Sequence, residues 1–158
     1  MNAENHARDV GAIVDAASTS YLGTNAVLAQ RPALAADCPD ETWLSGCVMI
    51  DGDWNGAIIL TCPRAFARDA AARMFATAVA EVSDHDTRDA LGELVNIVGG
   101  NYKAILPASG GTHRLSLPVV VGWPMRLTGM AETSDLWLRV GAGVVRVQVL
   151  EAAGNGGA

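Results

Sequence analysis

Thr87-Arg88-Asp89-Ala90-Leu91-Gly92-Glu93-Leu94-Val95-Asn96-Ile97-Val98-Gly99-Gly100-Asn101-Tyr102-Lys103-Ala104-Ile105-Leu106 is the stretch on which the fold turns. Its apolar residues return at helical spacing, and Pro107 supplies the stop. With about 100° of rotation per residue, Leu91, Val95, Val98, Tyr102 and Ile105 form one narrow stripe, the expected buried side. Asp89, Glu93, Asn96 and Gly100 fall opposite, and Ile97 and Lys103, the chain's only lysine, lie beside them. Gly92 and Gly99 share a flank and would let another element approach closely, at a cost of about 1 kcal/mol each in helix propensity.

Blocks of strand signal lie on both sides of this helix. Trp43–Ile50 and Trp54–Leu60 read as a hairpin turning at Asp51-Gly52-Asp53, where Gly52 can take positive φ. Further strands are expected at about Ala26–Gln30, His113–Trp123, Met125–Glu132, Leu136–Val140 and Val144–Glu151. Leu136, Leu138 and Val140 alternate with Trp137 and Arg139, as in a sheet with one covered face. Two more helices are expected. One spans about Asn5–Tyr21, with Val10, Ile13 or Val14, Ala17 and Tyr21 inward. The other spans about Pro63–Val79, with Phe66, Ala70, Met74 and Phe75 as its apolar side. Helices grouped between hairpin blocks predict an α+β domain: a largely antiparallel sheet with three main helices packed on one face. The domain is expected over 1–152, with a flexible glycine-rich tail at 153–158.

Composition narrows the function. The 158 residues carry 11 Lys+Arg against 17 Asp+Glu, a net charge of -6, so no basic field invites nucleic acid. Hydrophobic residues make up 50%, enough for a core, yet no apolar run approaches the ~20 residues of a membrane helix. With no secretory leader pattern and three widely spaced cysteines (Cys38, Cys47, Cys62), a reducing cytoplasm and free thiols are expected. No Cys/His spacing suits zinc, and neither a phosphate-binding glycine loop nor a nucleophile elbow is present. Asp84-His85-Asp86 reads as a solvated capping loop rather than a ligand cluster.

On its own, the Glu93/Asn96 pair is also what a solvated helix face looks like. The broken helix propensity at Gly99-Gly100-Asn101 and the apolar neighbour Ile97 point instead to a docking surface. Asp89-x-x-x-Glu93-x-x-Asn96, continuing Ile97-Val98-Gly99-Gly100-Asn101, resembles the signature helix of the CheC/CheX/FliY chemotaxis phosphatases. The element order resembles the family's too, including Pro63-Arg64-Ala65-Phe66-Ala67 opening a helix and a terminal β-meander. In that family a proline follows the Asn at a distance close to that of Pro118. The equivalent place on the first helix, Asp9-x-x-x-Ile13-x-x-Ala16, lacks the acid and the amide, so the chain resembles the single-site CheX type.

The resemblance implies hydrolysis of the aspartyl phosphate on a CheY-type response regulator, in chemotaxis or a related two-component pathway. It implies Asn96 as the water-positioning residue and Glu93 as the partner of the regulator's active-site lysine. No covalent intermediate and no cofactor on this chain are expected, the Mg²⁺ being supplied by the regulator. Asp89, Ile97, Gly99, Gly100 and Lys103 are the expected partner-binding positions. Asp89 has two readings, as a first-turn acid favoured by the helix dipole or as the rim of the interface. A homodimer is implied. The competing reading is a catalytically silent adaptor with the same fold, bound to a signalling or motor component.

Overall fold

The computed structural model describes residues 3–32, 42–107, 110–122 and 125–154. Cys38, Trp123 and the end of the glycine-rich tail lie outside the described residues. In chain order the elements are α1 (Ala3–Leu22), β1 (Ala26–Leu28), β2 (Trp43–Asp51), β3 (Gly56–Pro63), α2 (Arg64–Met74), α3 (Asp84–Ile105), β4 (Arg114–Leu115), β5 (Val119–Gly122), β6 (Met130–Val140) and β7 (Gly143–Ala152). A 3₁₀ turn at Val79–Glu81 joins α2 to α3.

The strands form one seven-stranded sheet in the order β1-β6-β7-β3-β2, with β4 and β5 both pairing along the far side of β2. Every pairing is antiparallel. The β2–β3 hairpin turns through Gly52, whose φ of 149° falls where a side chain is strained. All three helices pack on one face. Val10 and Val14 of α1, Ala67 and Ala70 of α2, and Leu91, Val95 and Val98 of α3 share one core with Leu44, Val48, Ile58 and Val147 of the sheet.

Several expectations are corrected. The strand expected at His113–Trp123 is interrupted by Ser116–Pro118, leaving β4 and β5 as two short pieces. Met125–Glu132 and Leu136–Val140 are not separate strands. Met130–Val140 is continuous, and an irregularity between Glu132 and Ser134 absorbs the change of phase. Met125 and Leu127 instead pack, with Met49 and Met130, against Cys47, Ala57, Ile59 and Leu150, a cluster on the second face of the sheet. That face is therefore partly covered. Trp137 forms a separate cluster with Trp43 and Val144, meeting Trp43 edge-on at 6.1 Å between ring centroids. Arg146 stacks over Trp137 while forming a two-pronged bond to Asp135 (2.7 and 2.8 Å).

Helix ends shift as well. α2 stops at Met74 rather than Val79, because Ala76 turns the chain at φ 52°. Leu22 rather than Tyr21 closes the inner side of α1; Tyr21 is exposed. Leu106, just past the end of α3, is buried in the place expected for Ile105, which is exposed.

Candidate functional site

α3 begins at Asp84, earlier than the hydrophobic pattern alone implies, because Ser83 caps it. Ser83 Oγ accepts from the Asp86 amide (3.0 Å) and Asp86 Oδ2 accepts from the Ser83 amide (3.0 Å), a reciprocal capping box. The hydrogen bonds from Ser83 hold the Asp86 carboxyl below the usual carboxylate range, and Arg88 does the same for Asp84. The early start settles one alternative. Asp84 and Asp86 occupy the first turn. Asp89 lies beyond it, exposed, with its Oδ2 3.2 Å from His85 Nε2. The first-turn reading of Asp89 is thus corrected, and its place is on the rim of the polar face.

The seat of α3 on the sheet is set by glycines on both partners. A side chain on Gly99 would run into Val48 of β2, and one on Gly46 of β2 would come within 3.1 Å of Leu91. Helix and strand therefore approach more closely than side-chain-bearing residues allow. Gly99 serves this internal contact and is buried, which corrects its expected role in clearing room for a partner. Gly100 faces open space, with nothing within 4 Å of where a Cβ would stand. Ile97 is half-buried against the core rather than presented freely.

On the outward face, Glu93 is exposed and Asn96 half-buried, one turn apart. Among the described residues neither side chain has a hydrogen-bond or ion-pair partner. Lys103 lies in the last turn, half-buried. On the first helix Ile13 packs toward the core and Ala16 is exposed, so no second acid–amide pair faces outward at that place.

Beside Glu93 an open cleft of about 550 Å³ is bordered by Phe75, Arg88, Asp89, Gly92, Pro118 and Val120. Pro118 lies over Gly92, 3.5 Å from where a Cβ would stand. Arg88 ties this wall to the helix, donating to the Val120 carbonyl (3.4 Å) and to Asp84 Oδ2 (3.0 Å). Sequence reading missed Phe75 and Arg88 as members of this neighbourhood. The apolar pattern puts Phe75 on the inner side of α2; the early end of that helix leaves it exposed at the C-cap. An acid four residues before Arg88 is the one signal that could have marked it.

Both cysteines among the described residues are buried. Burial pushes the Cys47 thiol up to about 11 and the Cys62 thiol up to about 12, so neither offers a thiolate at neutral pH. No three His, Cys, Asp or Glu residues among those described gather in a way that could hold a metal ion. No helix among the described residues is long and apolar enough to cross a membrane.

The family model for chemotaxis phosphatase CheX matches residues 44–128, just over half of the chain and the whole of α3. The chain belongs to the CheX family. This CheX-family chain also shares its fold with solved CheX structures. One is from Desulfovibrio desulfuricans (TM-score 0.69, 21% identity, covering 92% of this chain and 98% of that one). Another is from Vibrio vulnificus (0.70, 19%, 91% and 95%). A third is a CheX from Borrelia burgdorferi, solved in complex with CheY, BeF₃ and Mg²⁺ (0.65, 17%, 91% and 96%). No curated protein sequence matches the chain.

Proposed function

We propose that this chain hydrolyses the aspartyl phosphate of a CheY-type response regulator and so terminates its signal. The observation that carries the reading is the outward pairing of Glu93 and Asn96 on one turn of α3, free of partners among the described residues and followed by the bare Gly100. An acyl phosphate is already labile, so catalysis reduces to orienting a water in line with phosphorus and stabilising the equatorial oxygens. The Asn96 carboxamide suits the first task, since it both accepts and donates while staying neutral. The Glu93 carboxylate suits a charged hydrogen bond to the regulator's active-site lysine, which would hold α3 in the pocket. The Mg²⁺ that neutralises the phosphoryl oxygens belongs to the regulator in this reading. Asp89 and Lys103 flank the contact, and Gly100 leaves backbone exposed for the regulator's loops. The chain acts in the cytoplasm, as a homodimer.

The CheX family match and the Borrelia complex with CheY both support a regulator of CheY type as the partner. The test is a regulator-lifetime assay with several phosphorylated regulators from the same genome. Wild type is expected to shorten the phosphoryl lifetime of at least one. Asn96→Ala is expected to lose at least about a hundredfold in stimulated rate while keeping the wild-type melting curve. Glu93→Lys is expected to weaken binding to the beryllofluoride-activated regulator at least about tenfold. An Asn96→Ala variant as active as wild type would refute the mechanism. Tight binding by wild type with no acceleration would favour the adaptor.

A further inference from the structure

At the other end of α3, away from the Glu93 face, a second cleft of about 460 Å³ opens between α1, α3 and the sheet. Trp54 forms one wall. Its indole lies over Gly56, and any side chain there would overlap the ring, so the bare backbone is what allows the indole to lie down. The indole meets Tyr102 edge-on, with ring centroids 5.6 Å apart. The Tyr102 hydroxyl in turn lies 3.1 Å from His6 Nε2, the two rings nearly perpendicular. Leu106 and Pro107 supply an apolar floor, and Glu151 a half-buried carboxylate.

Carboxylates outnumber cations around this cleft: Asp9 and Glu151 both act on His6, against the N-terminal ammonium alone. No lysine or arginine is found among the described residues that border it. Burial lowers the pKa of His6, which keeps the imidazole neutral near pH 7. Asp9 and Glu151 both act electrostatically on His6 and Tyr102. An anion would meet these carboxylates. A purely apolar guest would strip water from Glu151 without replacing its hydrogen bonds. An ammonium ion with an apolar body answers both, since an indole face and a carboxylate each attract a cation. The volume is in the range of small-molecule sites.

We propose that this cleft binds a small organic ammonium ion, its charge at Glu151 and its apolar body against Trp54. The site is separate from the Glu93/Asn96 face, and the proposal does not depend on the phosphatase reading.

The test is calorimetric titration of the full chain with phenethylammonium chloride, 2-phenylethanol and phenylacetate at one ionic strength. The three probes share a ring and differ in charge. Saturable binding of phenethylammonium is expected, with the alcohol at least about tenfold weaker and phenylacetate weaker still. Glu151→Gln is expected to weaken the ammonium about tenfold and erase its advantage over the alcohol, whereas Glu132→Gln, a carboxylate elsewhere on the sheet, leaves both unchanged. Trp54→Leu is the second variant and should weaken the ammonium and the alcohol alike, because the apolar body they share rests on the indole. No saturable ammonium binding, equal affinity for ammonium and alcohol, or equal losses in the Glu151 and Glu132 variants would overturn the proposal.

Discussion

Placing a single methyl group on each of two adjacent glycines should raise stability at one and not at the other. Gly100→Ala adds its methyl into open space, so the gain is the helix propensity alone, about 1 kcal/mol. Gly99→Ala makes the same gain but drives its methyl into Val48, with Leu115 also only 3.3 Å away. Val48 cannot yield easily. It is fully buried, branched at Cβ and held in a strand paired on both sides. Overpacking of this kind costs about 1–3 kcal/mol. The two variants should therefore differ by that amount, with Gly100→Ala above wild type and Gly99→Ala level with it or below. At roughly 2–4 °C per kcal/mol, the pair should be separated by several degrees in thermal unfolding followed by circular dichroism. Urea midpoints should agree in sign. Equal stability for the two variants would refute the close seating of α3 on β2. A regulator-binding assay on Gly100→Ala then reads the outward role of that position without a folding defect.

Two further outcomes follow from the caps and the buried histidine. Ser83→Ala removes the side-chain half of the capping box at the start of α3, leaving the backbone amide of residue 83 to donate to Asp86, and should cost about 1 kcal/mol, seen as a melting point lower by a few degrees; an unchanged melting curve would count against the cap. The pKa of His6 is lowered in the folded chain, so the unfolded chain binds more protons in the interval just below its ordinary value of 6.5. Stability from the neutral imidazole is present above that value and is lost as pH falls through it. Urea midpoints at about pH 7.5 and 5.5 should show the drop in wild type and a smaller one in His6→Gln. Identical drops would show that His6 does not carry it. The carboxyls of Asp84 and Asp86, held low, lose their contribution only at more acid pH and leave this window clear.

How much was legible beforehand depends on how local the physics is. The buried stripe Leu91–Val95–Val98–Tyr102 and the opposite face of Glu93 and Asn96 were readable because helical rotation alone assigns faces. The β2–β3 hairpin was readable because Gly52 marks its turn. The end of α2 was not, because the break at Ala76 comes from a residue that ordinarily favours helix. The covering of the second face was misread from the alternation in β6. The continuous apolar runs Val48-Met49-Ile50 and Ala57-Ile58-Ile59-Leu60 were the contrary signal, since strands buried on both faces do not alternate. Arg88 and Phe75 were overlooked because their relation to Glu93 runs through Pro118 and Val120, far away in the chain.

By itself the sequence determined the α+β class, the helix that carries the acid and the amide, and the side of that helix on which they stand. Periodicity, caps and turn residues act over a few neighbours, so they can be read in order along the chain. Only the tertiary structure decided which glycine is spent inside and which is left bare. It also decided that a second cleft forms around Trp54, Tyr102 and Glu151. Those outcomes depend on which distant backbones come to lie against one another, and no local pattern encodes that.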